Sequence, residues 1–323
     1  MNLITPVELP AQIPGITHAQ RLLLLGSCFA QNIGTLLTDN RFRADVNPFG
    51  ILYNPLSIST ALRQIVSGRM YTESDLFAFR ECWHSPMHHG SFSSPSPTET
   101  LQRINTRLQE AHRHWDDTDW LLITFGTAYV YQQHDTQRIV ANCHKLPEKQ
   151  FTRRRLTVEE IVTEYTALLC ELRASCPQLK VLFTVSPIRH LRDGLHANQL
   201  SKATLLLAID RLREAFPQTV YYFPSYEIVL DELRDYRFYA DDMLHPSPLA
   251  VSYLWERFAT ALFSQETQRI MHQCEDLRRA IAHKPFHPES EAHNRFLGQI
   301  VLKIEQLNQK YPYLDLPNEI NPV

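Results

Sequence analysis

Arg21-Leu22-Leu23-Leu24-Leu25-Gly26-Ser27-Cys28-Phe29-Ala30 is the stretch whose reading decides the fold. An apolar run of strand length stops at a glycine. Two small side chains able to act as nucleophiles follow, and then a helical pattern with Ile33, Leu36 and Leu37 on one side. A run without polar alternation is what a strand covered on both faces requires. The glycine lets the backbone turn sharply. A nucleophile at the helix start lies beside free backbone N–H groups and the positive end of the helix dipole. Those N–H groups are also suited to holding an oxyanion. The same residues admit a purely structural reading, with Ser27 as an N-cap and Cys28 as a small buried side chain.

Three further runs repeat the pattern. Trp120 to Phe125 stops at Gly126, Val181 to Val185 at Ser186-Pro187, and Thr219 to Phe223 at Pro224. Helical segments separate them. Thr157 and Glu160 have capping-box spacing before the stripe Ile161, Val162, Tyr165, Leu168 and Leu169. Leu205, Ile209, Leu212 and Phe216 form another stripe, and a helix is expected from about Leu249. Strands alternating with helices predict an α/β fold, a central parallel sheet with helices on both faces. Chemistry in such folds collects beyond the carboxyl ends of the strands.

Two regions depart from the alternation. Residues 55–117 carry expected helices near Ile58 to Val66 and Thr98 to His114 around a Ser- and Pro-rich loop, and read as a helical insertion over one side of the site. After Ser264, the stripes Ile270, Cys274, Leu277, Ile281 and Phe296, Ile300, Val301, Ile304, Leu307 predict a helical appendage that packs on the core or meets a partner. The expected division is a domain over 1–264, with the insertion, and an extension over 265–323.

The chain has 323 residues, 44% hydrophobic and 21% charged, which are ordinary globular proportions. A net charge of −3 gives no general attraction to nucleic acid or anionic lipid, so neither is an expected partner. The start, Met1 to Pro6, lacks the basic and apolar regions of a secretory signal. The six cysteines show no paired close spacing and read as reduced thiols, so a cytoplasmic location is expected. With 9 glycines and no phosphate loop, no nucleotide or other cofactor is expected.

The second chemical motif is Tyr239-Ala240-Asp241-Asp242-Met243-Leu244-His245-Pro246-Ser247. An Asp three residues before a His can reach back to Nδ1 and leave Nε2 as a general base. Gly26-Ser27-Cys28-Phe29-Ala30 spells the motif of the GSCFA family, which resembles the SGNH/GDSL hydrolases in fold. Ile123 to Ala128, Asn142-Cys143-His144-Lys145, Val185 to His190 and Asp242 to Pro246 also resemble that family, so the resemblance covers roughly residues 20 to 260. It implies an SGNH-like three-layer fold and, by analogy with the wider clan, ester or acyl chemistry.

The clan reads Gly-Asp-Ser, with the nucleophile two residues after the glycine. That register puts Cys28 in the nucleophile place; a slip of one residue puts Ser27 there. A thiol beside His245 at a helix start is an activated nucleophile. The clan's oxyanion donors are a glycine N–H and an asparagine side chain. Gly50, in Asn47-Pro48-Phe49-Gly50, matches the glycine, but Gly126-Thr127-Ala128-Tyr129 lacks the asparagine. Asn142, returning on a hairpin after Tyr131, is the expected substitute, with Gly126 beside it. His144, Arg189 and His190 are the expected substrate-binding residues; the alternative for Arg189 is a turn salt-bridged to Asp193. Cys143 and His144, as neighbours on a strand, are expected to point to opposite faces. His84, His88 and His89 carry Pro86 among them, so no metal site is expected there. Ser201-Lys202 reads as two neighbours near a helix start whose side chains diverge.

The reading is therefore an acyl-ester hydrolase or acyltransferase acting on a small-molecule or carbohydrate ester, with Cys28 or Ser27, His245 and Asp242 as its catalytic residues. The missing asparagine leaves a rival, a non-catalytic ligand-binding or scaffolding domain that offers the stripe from Phe296 to Leu307 to a partner. Oligomeric state is not legible in the residues.

Overall fold

The computed structural model describes residues 4–10, 13–287 and 289–317. All four expected strands lie in one sheet, joined by a fifth: β1 (Arg21–Gly26), β2 (Arg43–Val46), β3 (Thr118–Phe125), β4 (Lys180–Val185) and β5 (Val220–Tyr222). Their order is β5-β4-β3-β1-β2 and every pairing is parallel. The strand order thus reverses between β1 and β3, the switch point at which open α/β sheets leave a crevice.

Helices cover both faces: α1 (Cys28–Asp39), α2 (Pro55–Ser67), α3 (Pro97–Arg113), α4 (Val158–Ser175), α5 (Leu195–Ala215) and α6 (Pro248–Leu262). Alternation of side chains along β1 sorts the core. Leu22 and Leu24 join Trp120, Leu122 and Leu182 beneath α1 and α6. Leu23 and Leu25 join Leu121, Ile123, Val181 and Phe183 beneath α2, α4 and α5. Leu22 to Leu25 are each at most 3% exposed, a burial that stabilises by about 1.5–3 kcal/mol per side chain. The capping box forms as expected, Thr157 Oγ1 accepting from the Glu160 N–H and the Glu160 carboxylate accepting from the Thr157 N–H.

Within residues 55–117, both expected helices contribute side chains to the core. Ile58, Ala61, Leu62 and Ile65 of α2 are fully buried in the core with α4, and Leu108 and Ala111 of α3 pack into the same cluster. The apolar stripe of α2 places it in the helical layer of the sheet itself.

Helices α7 (Gln265–Ile281) and α8 (Glu291–Lys310) form the tail. They build a third cluster in which Ile270, Cys274 and Leu277 meet Ile300, Ile304 and Leu307, so the α8 stripe is covered by the chain itself. Met271 of α7 belongs to the core beneath α1 and α6, and Arg278 pairs with Asp39 at 2.6 Å. Among the described residues, no helix is long and apolar enough to cross a membrane.

Two local features fix the carboxyl edge of the sheet. Gly26 has φ +149°, and a Cβ there would stand 2.3 Å from the Thr124 carbonyl oxygen and 2.8 Å from Thr124 Cβ. β1 and β3 therefore approach, at the switch point, to a distance only a glycine allows. The second feature is Ser201-Lys202 of α5. Lys202 is 1% exposed, and its Nζ donates to the carbonyls of Gly126 (2.6 Å) and Ser186 (2.7 Å), the residues directly after β3 and β4. Ser201 Oγ accepts from the Ala128 N–H (2.8 Å) and contacts Thr127 Oγ1 (3.0 Å). The two side chains do not diverge: both grip the loop after β3. Burial pulls the Lys202 pKa down to about 7. The neutral amine then has two N–H groups for its two carbonyls.

Two outcomes follow from these features. Gly26→Ala destabilises the fold by at least about 3 kcal/mol, through a strained φ and a backbone clash, read as a lower urea midpoint at unchanged slope. For Lys202, the unfolded chain keeps its proton up to about 10.5 while the folded chain loses it near 7, so the unfolded state binds more protons across that window. Folding stability therefore gains from this group as pH rises from about 7 to about 10. The stability of wild type therefore rises relative to that of Lys202→Met over the same range; a difference independent of pH contradicts the assignment.

Candidate active site

The carboxyl ends of β1, β3 and β4 converge with the loop that carries the second motif. Ser27 ends the strand and caps α1: its backbone is extended, its side chain is 1% exposed, and its Oγ accepts from the Phe29 N–H at 3.2 Å. Cys28 is the first helical residue and is partly exposed. An N–H at that position has no acceptor within the helix. The turn is braced by Asn47, which lies in the left-handed region (φ +47°) after β2. Its Oδ1 accepts from the Gly26 N–H (3.0 Å), and its Nδ2 donates to Gln31 Oε1 of α1 (3.1 Å).

The second motif forms the expected dyad. His245 Nδ1 donates to Asp242 Oδ2 at 2.5 Å, and Asp242 Oδ1 accepts from the N–H groups of His245 and Leu244, both at 2.9 Å. The two backbone N–H groups and then the imidazole hold the Asp242 carboxyl down at about 2, so it is ionised at neutral pH. With Nδ1 committed to Asp242, Nε2 is the ring atom left for proton transfer. The loop is short and bent, with Met243 at φ +59° and Ala240 donating its N–H to the His245 carbonyl (2.8 Å).

Tyr53 and His190 connect the two motifs. Tyr53 Oη is 4.0 Å from Cys28 Sγ, and the Tyr53 ring meets His190 edge-on at 5.7 Å. His190 in turn feels the charge of His245, and the Arg189 N–H donates to the Leu244 carbonyl (3.4 Å). Burial, then the charges of Lys202 and Arg153, pull His190 down to about 4, so it is neutral at neutral pH. Its Nε2 is buried without a partner among the described residues.

The two expected glycine donors are otherwise engaged. The Gly50 N–H closes a turn on the Asn47 carbonyl (2.7 Å), and the Gly126 N–H donates to the Tyr53 carbonyl (2.8 Å), as does that of Thr127 (3.0 Å). Asn142 uses Oδ1 to accept from the His144 N–H (2.9 Å) and gives its own N–H to the Pro86 carbonyl (3.1 Å). Neither glycine thus has an amide hydrogen free for a substrate oxygen in this conformation.

Of the expected binding residues, Arg189 does not pair with Asp193; its guanidinium lies over the Tyr239 ring at 5.8 Å. Asp193 belongs to Arg153, through Nε–Oδ1 at 2.7 Å and a second short contact, while Arg153 also covers the Tyr129 and Tyr131 rings at 4.9 and 4.6 Å. His144 is not on a strand. It stands in the left-handed region after the two-residue strand Ile139–Val140, with Nε2 bonded to the Ser85 carbonyl (2.8 Å). His84 and His88 bond Ser93 Oγ (2.7 Å) and Ser85 Oγ (2.8 Å). No group of three or more His, Cys, Asp and Glu poised to hold a metal occurs among the described residues.

Tyr53 and the bracing role of Asn47 were not legible in the sequence, and Lys202 was read only as a neighbour of Ser201 whose side chain diverges from it. The signal for Tyr53 and Asn47 was their position in the loop that runs from Asn47-Pro48-Phe49-Gly50 to the capped start of α2 at Asn54-Pro55. Nothing local marks Lys202, because its acceptors lie 76 and 16 residues away.

A search of curated proteins finds no match. Among solved structures, the chain is similar to an acetyl xylan esterase from the rumen bacterium Butyrivibrio proteoclasticus, with a TM-score of 0.39 and 10% identity over 76% of this chain. It spans 64% of that esterase's length. It is also similar to a carbohydrate esterase family 3 protein from Talaromyces cellulolyticus, with a TM-score of 0.36 and 10% identity over 80% of this chain and 99% of the other. The model of the GSCFA domain protein C-terminal domain matches residues 274–323. The GSCFA family model matches residues 21–258, from the first strand to the helix after the Asp242–His245 loop, and the chain belongs to the GSCFA family.

Proposed function

We propose that this protein is an acyl-ester hydrolase or acyltransferase with Cys28 as nucleophile, His245 as general base and acid, and Asp242 as the residue that orients His245. The observation that carries the reading is the division of labour between Ser27 and Cys28. Ser27 Oγ is buried and spent on the helix cap, whereas Cys28 Sγ is partly exposed beside the switch-point crevice. The ionised Asp242 held against Nδ1 supports the second half of the assignment, since it sets the tautomer that leaves Nε2 basic.

In the reaction, His245 Nε2 takes the Cys28 thiol proton and the sulfur attacks the acyl carbon. The carbonyl electron pair moves to oxygen. Collapse of that oxyanion breaks the ester C–O bond, and the imidazolium returns the proton to the departing alcohol. Water, or a second alcohol in a transferase, then attacks the thioester, gives its proton to His245, and releases Cys28, which recovers that proton as thiol. The chemistry draws on protein side chains and the attacking hydroxyl alone. An acyl group on a carbohydrate or other small alcohol is the substrate class we propose, because Cys28 and the dyad are both open to solvent and admit an acyl group carried on a larger polar body.

Turnover of p-nitrophenyl acetate tests the assignment. Cys28→Ala and His245→Ala each lower kcat/KM by about 10³-fold or more. Ser27→Ala costs about 1 kcal/mol of stability through the lost cap but leaves turnover within a few-fold. In parallel, iodoacetamide inactivates the protein and a fluorophosphonate does not. Turnover that survives both Cys28→Ala and His245→Ala, or its absence from the wild type, leaves a ligand-binding domain as the better reading.

A further inference from the structure

With the glycine amides engaged, the site still needs a donor for the oxygen that becomes negative. Tyr53 stands beside the Cys28 sulfur. Its phenol oxygen is 4.0 Å from Cys28 Sγ, and an acyl oxygen in the tetrahedral adduct lies two bonds from that sulfur. The ring is 37% exposed, so it borders the open side from which a substrate arrives.

The position of Tyr53 is fixed by backbone bonds to both strands of the switch point. Its carbonyl accepts from the Gly126 and Thr127 N–H groups directly after β3, and the preceding Leu52 N–H donates to the Gly26 carbonyl at the end of β1 (2.9 Å). Asn54, the next residue, caps α2 by accepting from the Ser57 N–H (2.9 Å). Lys202 holds the Gly126 carbonyl from below. A donor gains most when its geometry is set before the charge appears.

We propose that the Tyr53 phenol is the side-chain oxyanion donor of this site, acting with the Cys28 N–H at the start of α1. This inference rests on the acyl-transfer reading above. A phenol must keep its proton to serve. Burial, and then the neighbouring Cys28 sulfur, push the Tyr53 pKa up to about 12, so the O–H persists throughout the neutral range. When the acyl carbonyl is attacked, the O–H turns from the sulfur to the developing oxyanion. No proton leaves Tyr53 in the step.

Tyr53→Phe is the test, because it removes only the hydroxyl and keeps the edge-on contact with His190. Two rates are compared on the intact chain, with an unchanged urea midpoint as the control for folding. Turnover of p-nitrophenyl acetate passes through an oxyanion; alkylation of Cys28 by iodoacetamide, followed by mass spectrometry of the Cys28 peptide, does not. The expected result is a fall in kcat of roughly 10²-fold, with KM within about threefold and alkylation within about twofold of wild type. Cys28-dependent turnover that Tyr53→Phe leaves within twofold overturns the assignment of Tyr53 alone. An equal loss in both rates also overturns it, since Tyr53 then acts on the thiol and not on the oxyanion. If wild type shows no Cys28-dependent turnover, the acyl-transfer reading fails and this inference fails with it.

Discussion

The close approach of β1 and β3 at Gly26 is the constraint on which the rest of the site depends. With Thr124 packed against the place a Cβ would occupy, the chain can leave β1 and turn at once into α1. That turn puts Ser27 at the cap and Cys28 at the first helical position. It also brings the end of β1 level with the end of β3, so that one loop, from Asn47 to Asn54, bonds to both. Asn47 accepts the Gly26 N–H, Leu52 donates to the Gly26 carbonyl, and Tyr53 accepts from Gly126 and Thr127. A wider separation of the two strands would leave Tyr53 without its anchors and Cys28 without its neighbour.

The polar groups beneath this edge are arranged by the same economy. Lys202 satisfies two carbonyls that the parallel sheet leaves unpaired where β3 and β4 end. A buried primary amine can donate to both carbonyls with or without its extra proton, and burial lowers its pKa to about 7. His190, above it, is held neutral by burial and by the nearby cations. Asp242, by contrast, is exposed and held ionised by backbone N–H groups.

Much of the fold was legible in the sequence because its strands are buried on both faces. Leu22 to Leu25 and Trp120 to Phe125 are continuous apolar runs, and a glycine marks the end of each. The strand that escaped notice, β2, reads Arg-Ala-Asp-Val; it is a half-buried edge strand whose Arg43 and Asp45 carry no apolar signal. In the region 55–117 the packing of the helices was the part not legible. Its Ser- and Pro-rich loop suggested a surface addition, whereas the stripe in α2 packs as core. The chemical motifs were visible because each is local: an N-cap beside a thiol, and a carboxylate three residues from an imidazole. The oxyanion donors were not, since whether an N–H is free depends on acceptors elsewhere in the chain. Gly126 is bonded to Tyr53 and Gly50 to Asn47, and only the folded backbone reveals that.

The central claim is that the acyl group passes through a thioester on Cys28. The most direct measurement is intact-mass and peptide mass spectrometry of the wild-type protein, acid-quenched during turnover of p-nitrophenyl acetate. On this account deacylation limits turnover of so reactive an ester, and one acetyl group is expected on the peptide carrying Cys28, removable by neutral hydroxylamine as a thioester is. An acetyl group on Ser27 in place of Cys28, or no adduct at either residue, contradicts the account.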